Sequence, residues 1–203
     1  MISLRKNVSS MLRIALVRPG STAFDEQGRI KGALDIPLSD SGNRQVSRTL
    51  SEMSGYHFDA VYSAPCESAR ETATQLAELS NVRSKSIEAL ANLDHGLWQG
   101  KLIDEVRLQQ PKVYRKFQED PGAVRPPGGE TVAEAKMRIE KVLRRWLKRH
   151  QDETIAAVIP EPLASIFRLC VIDGRLGDLW QSECDNGRWE MLTVTRQQVL
   201  ASS

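Results

Sequence analysis

Short apolar runs alternate with amphipathic stretches along most of this chain. "LRIALVR" (12–18) is apolar, contains a β-branched residue and is too short for a buried helix, so it predicts a buried strand. "SDSGNRQVSRTLSEM" (39–53) opens on capping residues and predicts a helix. "DAVYSA" (59–64) predicts a second strand that Pro65 stops, followed by a helix in "ESARETATQLAEL" (67–79). "SIEAL" (86–90) reads as a third strand, 102–119 as helical, and "DPGAVRPPGGE" (120–130) as a loop. The clearest helix follows. Val132, Ala135, Ile139, Val142, Leu143, Trp146 and Leu147 keep the 3.6-residue period and form one apolar stripe. "TIAAVI" (154–159) is a fourth strand, Pro162 opens a helix through Ile172, and "WEMLTVT" (189–195) is a last strand.

Strands separated by helices imply an α/β three-layer sandwich with a mostly parallel central sheet covered on both faces. Residues 1–11 read as a loose N-terminal extension, and 12–203 as a single domain without repeats, low-complexity tracts or linkers. In such sheets ligands bind beyond the carboxyl ends of the strands. That directs attention to Arg18–Thr22, Ser63–Arg70, Ala91–Gly96 and Pro160–Pro162.

Composition narrows the picture without redirecting it. The chain has 203 residues, 27% of them charged, and a net charge of +2, which makes no case for nucleic acid. The basic segment 136–150 has acidic residues interspersed and reads as a solvated helix face. No apolar run is long enough to span a membrane, and the polar first residues show no secretory signal. Three cysteines, Cys66, Cys170 and Cys184, suit a reduced, cytoplasmic setting. The three histidines show no metal-ligand spacing, so no cofactor is expected.

Several segments together resemble the histidine phosphatase (phosphoglycerate mutase-like) superfamily. "LVRPGST" (16–22) is similar to that family's L-V-R-H-G-E-T, and "GRIKGALDIPLSDSG" (28–42) to G-R-x-x-G-x-x-D-x-P-L-S-x-x-G. "VYSAPCESARETA" (61–73) resembles V-Y-S-S-P-L-x-R-A-x-Q-T-A, and "LANLDHGLWQG" (90–100) resembles L-x-E-x-x-F-G-x-W-E-G. "PPGGETVAE" (126–134) resembles the family's P-G-G-E-S stretch, and "VIPEP" (158–162) stands where it has V-S-H-G-G. The order of segments is the family's, from about residue 12 to 195.

The resemblance also implies departures. The nucleophilic histidine corresponds to Pro19, the second histidine to Pro160, the proton-donating Glu to Asn92 and the second phosphate-clamping Arg to Ser68. The loop Asn corresponds to Asp25, the first-motif Glu to Ser21, and the H-G-G glycine to Glu161. Arg18 alone stands unchanged, with Arg29 at the expected pocket mouth. Covalent catalysis needs an activated nucleophile and general acid catalysis a donor. The sequence therefore predicts a pseudophosphatase: no enzyme, but a domain that binds an unidentified protein or small-molecule partner, with a homodimer possible. Two alternatives stay open. One is a phosphohydrolase with a rebuilt site using Cys66, His95 or Glu161; the other is a structural subunit of an assembly. For the remnant pocket the sequence predicts that Arg18 pairs with a carboxylate, Glu161 first and Asp25 second, and that phosphate binds weakly.

Overall fold

The computed structural model describes residues 11–172, 174–182 and 186–195. Its strands are β1 (Met11–Val17), β2 (Ala60–Ser63), β3 (Ser84–Ser86), β4 (Thr154–Val158) and β5 (Trp189–Thr195). Its helices are α1 (Ala23–Glu26), α2 (Asp40–Met53), α3 (Glu67–Leu79), α4 (Ile103–Gln109), α5 (Pro111–Glu119), α6 (Val132–Arg149), α7 (Leu163–Leu169) and α8 (Leu179–Ser182). The sheet has five strands in the order β3-β2-β4-β1-β5. β1, β2, β3 and β4 run parallel and β5 is antiparallel to β1. The expected α/β sandwich with a mostly parallel sheet flanked by helices is observed.

Burial explains the strand sequences. Every residue of β4 is buried, as a central parallel strand covered on both faces requires. α6 lays its apolar stripe on the core: its buried residues are the seven named from the 3.6-residue period. Each such large apolar side chain contributes about 1.5–3 kcal/mol when fully buried. The helix begins in a capping box, in which Thr131 accepts from the Glu134 amide and Glu134 accepts from the Thr131 amide. The opposite end stops at His150, where the chain turns into β4.

Some elements differ from expectation. The segment 86–90 pairs only at its start. Ile87 N still reaches Ser63 O at 3.0 Å, and Glu88–Leu90 then coil into a 3₁₀ turn. Alanine and leucine at the edge of a sheet carry little preference for extension. The stretch 102–119 is two helices, because Pro111 has no N–H to continue α4 and instead opens α5. β1 already begins at Met11, one residue into the proposed extension. The helix after Pro162 ends at Leu169, with Pro162 at its N-cap. Cys184 lies outside the described residues.

β1 and β4 are neighbours in register, with Val17 opposite Val158. Pro19 and Pro160 therefore each stand two residues beyond that pair, side by side at the same sheet edge. The loop leaving β1 is pressed against the start of α2. A Cβ on Gly20 would lie 2.3 Å from Gly42 O, and one on Gly42 would lie 2.0 Å from Ser21 O. Ser39 N donates to Ser21 O and Ser21 N donates to the Gln45 side chain, closing the same seam.

Candidate functional site

The carboxyl ends of β1, β2 and β4 gather a cluster of buried polar residues that are paired with each other. Arg18 follows β1 and is buried, with Nε 2.6 Å from Glu161 Oε1. Its Nη1 reaches Glu190 Oε1 at 3.3 Å, and Arg168 Nε binds the other oxygen of Glu190 at 3.0 Å. Glu161 is 1% exposed. Its second oxygen accepts from Ser165 N at 3.1 Å in the first turn of α7. Burial pushes the Glu161 carboxyl up, and the Arg18 charge pulls only part of that back. The pairing of Arg18 with Glu161 is the one the sequence put first.

Asp25 goes elsewhere. One oxygen accepts from Thr22 N at 2.6 Å and Thr22 Oγ1 at 2.8 Å, which caps α1. The other stands 2.5 Å from Lys31 Nζ, a charge contact whose angle departs from that of a regular hydrogen bond. Lys31 is 5% exposed and went unnoticed in the sequence. A lysine between two glycines in a turn reads as solvated surface, and no local signal announces that Asp25 draws it inward.

Asn92 acts as a fastener. Its Nδ2 donates to Gly32 O at 3.0 Å and to Glu161 O at 2.8 Å, while its Oδ1 accepts from Leu93 N and Leu163 N. This one amide holds the turn after Lys31 against the turn that carries Glu161. Ser68 is buried in the first turn of α3, and its Oγ stands 3.8 Å from the Cys66 sulfur.

One expectation changes, and two residues of the rebuilt-site alternative are set aside. Arg29 does not wait at the mouth for an anion: Nη1 donates to Gly100 O at 2.7 Å and Nε to Gln27 Oε1 at 2.8 Å, tying two loops together. His95 is fully buried, with its ring beside Trp98, Phe117 and Trp180, so it is a packing residue and cannot meet a substrate. Cys66 stands at the N-cap of α3, where a depressed thiol pKa was considered. Burial pushes that thiol up instead, outweighing hydrogen bonds from Ala69 and Ser68 and the Lys31 charge. Arg70 is tied to Pro65 O and lies near exposed Asp35. Among the described residues no group of histidine, cysteine or carboxylate side chains could hold a metal, and no helix is long and apolar enough to cross a membrane.

With the crevice in view, comparison with known proteins decides the lineage. The family model of the histidine phosphatase superfamily (branch 1) matches residues 14–202. The chain belongs to that superfamily. Phosphoserine phosphatase 1 of Hydrogenobacter thermophilus is 31% identical over 184 residues, spanning 90% of this chain and 86% of that protein. The putative alpha-ribazole-5'-P phosphatase of Escherichia coli shares the fold with a TM-score of 0.76 at 21% identity, over 91% of this chain and 94% of that one. Mycobacterial glucosyl-3-phosphoglycerate phosphatase shares it with a TM-score of 0.75 at 19% identity, over 89% and 97%. These findings overturn the expectation that the chain is not an enzyme. Its superfamily relatives are named phosphatases, which points to an enzyme, and the sequence argument had weighed what single positions lack above what the whole chain resembles.

Proposed function

We propose that this chain is a phosphohydrolase that cleaves small phosphate monoesters in the crevice beyond β1 and β4, with a site rebuilt around Arg18 and Glu161. The motif resemblance implies that Pro19 and Pro160 stand at the superfamily's histidine positions. A proline has no nucleophilic nitrogen, so no phosphohistidine can form there, and the reaction has to be a direct displacement by water. Of the three rebuilt candidates, His95 is buried among aromatic rings and the Cys66 thiol is held protonated by burial. Glu161 remains. The observation that carries the reading is this buried carboxylate, 2.6 Å from Arg18, with its pKa raised by burial.

Each part has a role. The phosphoryl group takes the Arg18 guanidinium, whose planar fork matches phosphate oxygens. Glu161, released from Arg18, accepts a proton from the attacking water; the raised pKa makes it a stronger base than a surface carboxylate. The water oxygen forms the new P–O bond, the ester P–O bond breaks, and the leaving alkoxide takes a proton from solvent. Orthophosphate and an alcohol result. Asn92 holds the Glu161 backbone so that this exchange happens in one place.

The test is turnover by the purified chain on a panel of phosphomonoesters, starting with phosphoserine because a relative carries that name. We expect release of phosphate that falls at least about 100-fold in Glu161→Gln, in line with the usual contribution of a general base. Arg70→Ala should leave it unchanged. Absence of turnover on the whole panel, or turnover indifferent to Glu161→Gln, overturns the reading.

A further inference from the structure

We propose that Lys31 is the second cation of this crevice and receives, together with Arg18, the dianionic phosphoryl group of a phosphomonoester. The inference rests on the phosphohydrolase reading and supplies the phosphate contact that reading lacks. With serine at position 68, sequence alone leaves Arg18 as the one cation of the site. The structure brings another from a different element.

Lysine is almost never fully buried unless it is paired. The Lys31 ammonium is buried and pairs with Asp25 Oδ1 at 2.5 Å, with Asn186 Oδ1 further off at 3.5 Å. These partners fix where it stands. Asp25 lies in the short helix that follows β1. Asn186 precedes Gly187, whose N–H donates to Pro19 O at 2.9 Å. The Lys31 charge also acts on the Cys66 thiol at the start of α3, two residues before Ser68. The ammonium is thus tied to the helix that follows β1 and to the segment that closes on Pro19. The backbone is held there as well, because Asn92 bonds both Gly32 O and Glu161 O.

The resting charge pattern supports the same use. Arg18 is held by Glu161 and Lys31 by Asp25, so each cation keeps a carboxylate. A phosphoryl dianion carries the charge of those two carboxylates together and can take over both cations. An aliphatic ammonium binds phosphate as a point charge, without the angular demand of a guanidinium.

The experiment is calorimetric titration of the full chain with inorganic phosphate, beside phosphoserine turnover of the same preparations. Lys31→Met should weaken phosphate at least about tenfold, the loss of one charge-assisted hydrogen bond, and Lys31→Arg should retain most of it. Asp25→Asn provides the decisive arm, because it keeps a cap for α1 and frees the ammonium. It should bind phosphate several-fold more tightly than the unmodified chain. A merely structural pair predicts no gain in binding, since losing Asp25 lowers the melting temperature in either case. That result overturns the proposal, as does phosphate binding unaffected by Lys31→Met, or none in both the unmodified chain and Asp25→Asn. Phosphate binding that responds to Lys31 without turnover in any preparation sinks the phosphohydrolase reading and leaves this one standing. Turnover indifferent to Lys31 does the reverse.

Discussion

β4 starts and ends on two buried polar constellations built on different principles. At its start, Tyr62 OH lies 2.7 Å from His150 Nε2, and His150 Nδ1 lies 2.5 Å from Glu153 Oε2. The carboxylate partner assigns the ring proton to Nδ1, so Nε2 accepts from the phenol. Tyr62 also stacks on Trp146 with ring centroids 4.8 Å apart. Burial raises the Tyr62 pKa, so the phenol keeps its proton and the array stays mated. It bolts the end of α6 to the sheet. At the other end of β4, Arg18, Glu161, Lys31 and Asp25 are formal charges held by one another. The first array offers no lysine or arginine to a visiting anion. Paired charges do, because their cations are bound to something exchangeable. The difference separates a polar cluster that fastens from one that can receive.

The comparison breaks most visibly at Arg18. Arg18→Ala strands the Glu161 carboxylate in the interior, which costs about 3–5 kcal/mol for a buried pair that loses one partner. Chemical denaturation near neutral pH should show a deficit of that order, and phosphate release should vanish. The pH dependence has a definite sign. Burial already raises the Glu161 pKa, and losing Arg18 raises it further, so the deficit is full above that raised value and shrinks as pH falls through it. A deficit that does not change with pH means that Glu161 is not the group left stranded.

Tyr62→Phe tests the other end. It leaves His150 Nε2 buried without its donor, an effect of about 1–3 kcal/mol. Thermal melting should register it, while turnover and phosphate affinity stay as they were. Loss of activity in this variant shows that the two constellations are coupled and that the fastening array is more than a bolt.

The smallest effect sharpens the comparison through α6, which joins the two regions. Near its start Arg138 Nη2 contacts Asn92 O at 3.3 Å, and at its end stands His150. Thr131→Ala removes the N-cap and should cost about 1 kcal/mol. Glu134, held by the Thr131 amide and by Arg125, has its pKa lowered to about 2. Its share of stability is present above the ordinary value of 4.5 and is lost as pH falls from there toward 2. Denaturation curves of Glu134→Gln and the unmodified chain should therefore converge over that acidic range.

Much of this was legible in the chain. The α6 stripe follows from a period, and the neighbouring ends of β1 and β4 follow from strand alternation and motif order. The Arg18–Glu161 pair was reachable because it joins a recognised motif position to the one substitution that adds charge. Other features were not legible, for identifiable reasons. Lys31 is drawn inward by Asp25, a contact over six residues that no periodicity encodes. His95 stands where the family has an aromatic residue, which favours packing, but the rings it meets from α5 and α8 are remote in sequence. The break at Pro111 was visible, yet the helical character on both sides masked it. Lost motif positions were read as lost activity, whereas a relative matched over 90% of the chain is named a phosphatase.

The seam between Gly20 and Gly42 has a consequence for motion. Backbone meets backbone there with no room for a side chain, so the loop carrying Arg18 to Thr22 cannot swing away without taking the first turn of α2 with it. What remains is rotation of Arg18, Glu161 and Lys31 about their own bonds within a fixed frame. On the proposed reading an anion enters by parting an ion pair rather than by displacing that frame.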